Sequence, residues 1–400
     1  MSEWSKTTLS NYIDVINGFA FKSKNFIDEQ ISNSLPIIKI KNVANGDVNL
    51  NSVQYHEYNT SLSKYLIENG DILIALTGNH PQALTQVVGQ TSRYKLKNKA
   101  LLNQRVAKIV AKGNFCHDFL YYFLKNEWTH EYLANQSSGS ANQANISKKD
   151  IEALPISLPP LKEQKAIAEV LSFLDDKIDL LHRQNKTLEN LAQTLFRQWF
   201  IEEADEGWEE KPLSDFGDVI CGKTPSKKKP EYYNGTVPFI KIPDMHGNTF
   251  IFNTTDTLTE EGSNSQKNKL LPPKSICVSC IATVGLVSIN IIESQTNQQI
   301  NSIIPKEDNY RYYLYLFMKL SYDLLHAMAS GGTATLNLNT GNFQKMNILK
   351  PNDKSLDDFH TLVEPQFNKI FANQQQIKTL ENLRDTLLPK LMSEEVRVKI

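Results

Sequence analysis

The chain alternates short apolar runs with long helical stripes, and it does so twice. The runs IIKIKNV, DILIAL and RVAKIVA in the first half are broken by Gly, Pro and Asn, as are VPFIKI, ICVSCIATV and QINSII in the second. Short apolar runs bounded by such punctuation predict strands. Each set is followed by a dense aromatic segment, HDFLYYFLKNEW or YRYYLYLFMKLSYDLL, which predicts a short helix. A small-residue loop comes next, SSGSANQANIS or ASGGTATLNLN, and each half closes on a long helical stripe.

The first stripe opens after Pro159 and Pro160, which end one element and admit a helix start. Its apolar positions are Ile167, Leu171, Leu174, Ile178, Leu181, Leu188, Ala192, Leu195 and Trp199, with Asn185 in the single gap. That 4-3-4-3 spacing predicts a coiled-coil seam. The second stripe is less regular: Phe359, Val363, Phe367, Ile370, Ile377, Leu380, Leu387 and Leu391. Each helix approaches about 40 residues, or about 60 Å. The economical partner for one is the other, and an outside subunit facing a lone seam is the competing reading. Asn185 either fixes register or is a tolerated polar end of the face. Phe196, Trp199 and Phe200 end the first helix with apolar bulk, to serve a partner subunit or to close the helical core.

The two halves are copies of one plan. L-S-x-x-x-D-V-I-x-G occurs as Leu9 to Gly18 and as Leu213 to Gly222, behind Trp4 and Trp208. PIIKIK meets PFIKIP, LNQRVAKIVAK meets TNQQINSIIPK, FLYYFLK meets YLYLFMK, and TLEN recurs at 187–190 and 379–382. A repeat of this size is a domain duplication and not a solenoid. The fold class expected is α+β, with two tandem-duplicated mixed α/β domains separated by two long helices. The expected boundaries are 1–155, a helix at 156–202, 203–350, and a helix at 351–400.

Composition narrows the class only modestly. With 40% hydrophobic and 22% charged residues, the 400-residue chain is ordinary globular protein. No apolar run is long enough to cross a membrane and the N-terminus lacks a leader pattern, so a cytoplasmic location is expected. Four cysteines give no disulfide framework. The stretch IEEADEGWEE between the copies reads as a solvated linker.

One motif invites an enzymatic reading. GDVICGKT at 217–224 satisfies the phosphate-loop pattern G-x-x-x-x-G-K-[ST]. That chemistry needs a helix beginning at the Lys-Thr so that its amides converge on phosphate. PSKKKP follows instead, and the aligned copy reads YIDVINGFA. Cys277 and Cys280 form C-x-x-C without a second ligand pair, on a segment that reads as strand, with at least one expected to be buried. No catalytic or metal-ligating constellation is predicted. What recurs is basic loop chemistry: residues 93–112 carry seven Lys or Arg and no acid, and KTPSKKK at 223–229 carries four lysines. Basic loops suit phosphate-backbone contact, and the Asn and Gln around them suit base edges.

The segment NISKKDIEALPISLPPLKEQKAIAEVLSFLDDKIDLL at 145–181 resembles the central region of type I restriction–modification specificity subunits. LSDFGDVICGKTPSKKKPEYYNGTVPFIKIPDM resembles the start of their target-recognition domains, in which G-x-T-P-S is a familiar opening. The resemblance covers essentially the whole chain. It implies a non-catalytic DNA reader in which each recognition domain reads one half of a split, asymmetric target. The helices would form an antiparallel coiled coil that sets the gap. Besides double-stranded DNA, two modification (methyltransferase) subunits and restriction (translocase/nuclease) subunits are the expected partners. No cofactor is expected in this chain; S-adenosylmethionine, ATP and Mg are expected on those partners. The second helix departs from the pattern with Asn373 and Arg384 at positions aligned with Leu181 and Ala192, which leaves the pairing register open.

On this reading the base-reading candidates are Thr77, Asn79, His80, Asn103 and Gln104, and in the second copy Thr224, Ser226, Thr283, Asn297 and Gln298. The phosphate candidates are Lys22, Lys24, Lys95, Lys97, Lys227, Lys228 and Lys229. A nucleotide-hydrolysing enzyme using Lys223 and Thr224, and a coiled-coil adaptor without sequence readout, are the alternatives.

Overall fold

A computed structural model describes residues 4–43, 47–79, 87–140, 143–330 and 336–399. The chain divides into two units: Met1–Lys177 with Leu380–Ile400, and Ile178–Thr379. Each therefore combines one mixed domain with stretches of both long helices.

In the first unit, alternation in IDVIN places Ile13 and Val15 on the buried face of strand Ile13–Asn17. This strand pairs antiparallel with Val106–Ala111, which pairs with Ile72–Ala75, which pairs with Thr91–Arg93. A second sheet sets Ser34–Ile38 between Gln54–Glu57 and Ala100–Leu102. Helix His117–Lys125 buries Phe119 through Leu124 beneath the first sheet, in one core with Ile72, Ile74 and Ile109.

The second unit repeats this pairing residue for residue. Asn17 faces Ala107 as Cys221 faces Asn301; Val106 faces Ala75 as Ile300 faces Ser279. The parallel pairing of Ile38 with Leu102 returns as Ile240 with Thr296, and Ser5 with Leu158 returns as Glu209 with Lys350. Side-chain period in a strand is two, so a slip of one residue would turn every apolar side chain outward; the shared register follows from the shared pattern. The second unit adds strand Phe250–Ile251 to its main sheet.

The long helices span Leu161–Arg197 and Asp353–Met392, and they run antiparallel within each unit. In the first unit Ile167, Ala168 and Leu171 share a core with Leu388, Leu391 and Met392. Arg384 Nη1 donates to Asp175 Oδ1 at 2.9 Å, and Arg397 clasps Glu163 through Nε at 2.7 Å and Nη2 at 2.5 Å. In the second unit Ala192 and Phe196 share a core with Phe359, Val363, Phe367 and Ile370. Leu174, Ile178 and Leu181 are buried along the first helix, and Leu188 and Leu195 pack partly against the core.

Asn373 Nδ2 donates to Asn185 Oδ1 at 2.9 Å, so the polar gap in the first seam meets the polar departure in the second. The register left open by Asn373 and Arg384 is thus set by the same two residues. On the second helix Ile370 and Ile377 are buried, whereas Leu380 and Leu387 are half-buried; Leu388 takes the buried position near the C-terminal end. A straight helix drifts off a strict seven-residue repeat, which moves the buried stripe by one residue there. Phe196 and Phe200 are 3% and 4% exposed, and the Phe200 ring lies 4.8 Å from those of Tyr313 and Phe359. Half-buried Trp199 packs on Phe359. The apolar bulk at this helix end closes the unit's own core, the second of the two readings, so Phe196 and Phe200 do not stand free to face a partner subunit.

Candidate nucleic-acid interface

The phosphate-loop string folds into something else. GDVIC forms strand Gly217–Cys221, and the amides that would cradle a phosphate are committed to neighbouring chain. Gly222 N donates to Ile300 O at 3.0 Å and Lys223 N to Thr296 O at 2.9 Å. No helix begins at Thr224; a single 3-10 turn follows at Pro230–Tyr232. The nucleotide-binding alternative therefore has no site here.

Gly222 matters for packing. A Cβ there would stand 2.2 Å from the Asn297 carbonyl oxygen, and one on Gly18 would stand 2.1 Å from the Asn103 carbonyl oxygen. In both units the strand end lies against the Asn-Gln turn too closely for any side chain. The bonds around it recur: Gly18 N to Val106 O at 3.1 Å, Phe19 N to Leu102 O at 2.8 Å and Asn103 N to Ile38 O at 3.2 Å. The counterpart of the last is Asn297 N to Ile240 O, also 3.2 Å.

This cradle brings predicted residues together. In the second unit Thr224 Oγ1 donates to Gln298 Oε1 at 2.6 Å, joining two base-reading candidates 74 positions apart. Ser226, Lys227, Lys228 and Lys229 are exposed on the adjoining loop, where Lys229 Nζ donates to the Tyr232 hydroxyl at 2.9 Å. In the first unit Asn103 and exposed Gln104 line a groove with Phe21, Lys39, Lys41 and Arg105. Burial and the nearby Lys41 charge hold the Lys39 ammonium below its ordinary 10.5. An anion placed there would relieve that stress. Lys39, Lys41 and Arg105 were not among the predicted phosphate residues; the parallel pairing of Ile38 with Leu102 is what brings them together.

Other candidates are placed differently. Thr77 is 8% exposed and donates to Asn145 Oδ1 at 2.8 Å, so its hydroxyl is engaged internally, a correction to its place among base readers. Its pairing partner in the second copy is matched by the bridge between Ile281 and Asn337, so Thr283 answers to Asn79 instead. Asn79 and Thr283 are exposed, and His80 lies outside the described residues. Asn103 and Asn297 are 9% and 8% exposed; each accepts a backbone N–H two residues on, from Arg105 at 3.3 Å and Gln299 at 3.1 Å. They shape the turn and present Gln104 and Gln298. Lys95 pairs with Asp47 at 2.8 Å at the surface, and Lys97 lines a separate hollow with Asn98 and Lys99. Lys22 and Lys24 are exposed around the 3-10 turn Ser23–Asn25.

Cys277 and Cys280 are both buried, and burial pushes their thiols up to about 12 and about 11. Such thiols are inert; Cys277 lies in strand Ile276–Ser279 and Cys280 just beyond it. Among the described residues one group of possible metal ligands occurs, Asp308, His360 and Glu364. Arg311 already lies 2.6 Å from Asp308 and 3.4 Å from Glu364, so the carboxylates have their counter-charge. No helix among the described residues is long and apolar enough to cross a membrane.

The family model for the type I restriction modification DNA specificity domain matches twice, over residues 1–190 and 205–388. The chain belongs to this family. Its two matches coincide with the two copies read from the sequence. The HindI specificity subunit of Haemophilus influenzae is 35% identical, covering 84% of this chain and 88% of that one. The MjaIX specificity subunit of Methanocaldococcus jannaschii is 30% identical over 76% and 74% of the respective chains. The crystal structure of an S subunit from M. genitalium aligns with a TM-score of 0.59 at 17% identity, covering 97% of this chain and 96% of that one, a likeness of fold. Membership in the specificity-domain family makes DNA recognition within a restriction–modification system the work of this chain, and a non-catalytic one.

Proposed function

We propose that the chain is the specificity subunit of a type I restriction–modification complex, each mixed domain reading one half of a bipartite, asymmetric DNA target. The observation that carries the reading is the repeated cradle: one backbone arrangement at Gly18–Asn103 and at Gly222–Asn297, furnished with different side chains. Gln104 stands beside Lys39 and Arg105 in one copy, and Gln298 beside Thr224 and the Lys227–Lys229 loop in the other. Identical frames carrying the same Asn-Gln pair among unlike neighbours suit two unlike half-sites. Lysine and arginine there supply phosphate contact and salt-dependent affinity, while the amides reach base edges. Two modification subunits holding S-adenosylmethionine dock on the helices, which set the gap, and restriction subunits bring ATP and Mg chemistry; all of this takes place in the cytoplasm.

The test is a genome-wide map of methylated bases with the chain co-expressed with its modification subunit. One bipartite sequence carrying the mark is the expected result. Exchanging residues 1–145 for those of another family member should change one half of it and leave the other. A map with no bipartite mark, alongside an active methyltransferase, would reject the reading.

A further inference from the structure

The long helices derive from one duplicated segment, with TLEN at 187–190 and 379–382 fixing their offset at 192 positions. Two helices carrying the same stripe face an ambiguity, because each presents a seam suited to the other and also to a second copy of itself. Three polar contacts remove that equivalence. Asp175 meets Arg384 at 2.9 Å, Asn185 meets Asn373 at 2.9 Å, and Glu163 meets Arg397 at 2.5 Å.

Offset by 192, the same positions in a like-with-like pairing read differently. Between two first helices, Asp175 would face Ala192 and Asn185 would face Leu181. Glu163, whose side chain is 1% exposed, takes its cation from Arg397 beyond the end of the second helix, whereas the stretch IEEADE at 201–206 beyond the first helix carries four carboxylates and no cation. Between two second helices, Arg384 would face Phe367 and Asn373 would face Ile377. A pairing of first helices thus sets Asn185 against an apolar group, and one of second helices strands Arg384 and Asn373 in the same way, while Asp175 keeps the Tyr122 hydroxyl and Lys125 of its own domain. A buried charge without its partner is heavily penalised, and a polar seam residue without its mate selects against that pairing. The apolar counterparts are compatible with one another, since Ala192 and Phe367 share the core of the second unit.

We propose that Asp175–Arg384, Asn185–Asn373 and Glu163–Arg397 form a pairing code by which each half accepts the other half of the chain and excludes a second copy of itself. The code keeps two unlike domains in one particle and prevents chains from linking through like helices.

Full-length chains carrying residues that the duplication already uses at the equivalent positions test this. Asp175→Phe with Asn185→Ile makes the first helix compatible with its own copy. Arg384→Ala with Asn373→Leu does the same for the second. Each pair of changes should raise the mass seen by light scattering above the wild-type chain's, increasingly over a ten-fold rise in concentration. The chain with all four changes again matches within itself and should recover stability over either double variant, although with those two pairs gone it no longer excludes its own copy. Loss of folding in either double variant, with recovery in the fourfold one, supports the code equally. Double variants of wild-type mass and melting temperature, or a fourfold variant no more stable than the double variants, would overturn it.

Discussion

The carbonyl oxygen of Asn297 lies 2.2 Å from the point a Cβ on Gly222 would occupy, and the carbonyl of Asn103 stands in the same relation to Gly18 at 2.1 Å. The glycine that completes the phosphate-loop match is therefore required by sheet packing. Gly222→Ala should destabilise the second unit by about 1–3 kcal/mol or more, because backbone on both sides has to move. Lys223→Ala, at an exposed position, should leave stability within about 0.5 kcal/mol. Chemical denaturation of both variants measures the contrast. A neutral Gly222→Ala would show that the approach is not tight.

Asp175 is held by three groups: Arg384 at 2.9 Å, the Tyr122 hydroxyl at 2.9 Å and Lys125 at 3.7 Å. Burial raises its carboxyl, but Lys125 and Arg384 outweigh burial and hold it below its ordinary 3.8. Its folded value being depressed, the stabilisation is fully present above pH 3.8 and is lost as pH falls through the lower folded value. Arg384→Ala should therefore cost about 3 kcal/mol near neutrality. That difference should shrink in acid below the ordinary carboxylate value. Melting curves for the two proteins across that range give the comparison, and a pH-independent difference would assign the loss to packing instead.

The strands, both long helices and the duplication were legible because each depends on local periodicity. GDVICGKT was correctly placed as well, through its alignment with YIDVINGFA and not through its own letters. The interface was legible only in part. Lys39 and Arg105 meet because two strands pair in parallel across more than 60 positions of chain, and no spacing in the sequence announces that. Lys95 looked like an available cation because Asp47, which neutralises it, is remote in sequence. Thr77 looked exposed for the same reason, its partner Asn145 lying 68 positions on. Polarity was visible throughout, whereas the partner that consumes it was not.

Phe200 tests whether the end of the first helix is internal. Its ring sits among Tyr313, Phe359 and Trp208. Phe200→Ala should cost about 3–5 kcal/mol in the isolated chain, with no other subunit present. Trp199→Ala, at a half-buried position, should cost less. Denaturation of the chain alone decides it: a Phe200→Ala variant as stable as wild type would return this residue to a partner-facing role.

The basic groove of the first unit separates affinity from readout. Lys39 and Arg105 flank Gln104 there, so phosphate contact and base contact are adjacent yet distinct. In a complex assembled with its modification subunits, Lys39→Ala or Arg105→Ala should weaken binding to all duplexes alike. Each should reduce the slope of log affinity against log salt by about 0.9 for every phosphate it ceases to neutralise. Gln104→Ala should leave that slope unchanged and relax discrimination in one half of the target by about 1–3 kcal/mol at the affected base pair. Gln298→Ala should act in the same way on the other half, because the two amides occupy equivalent places on the repeated turn. Binding titrations across salt, paired with methylation maps of the same variants, read both effects. If Gln104→Ala altered the salt slope and left the map intact, Gln104 would belong with the phosphate-binding residues and base reading would move to other residues of the first domain.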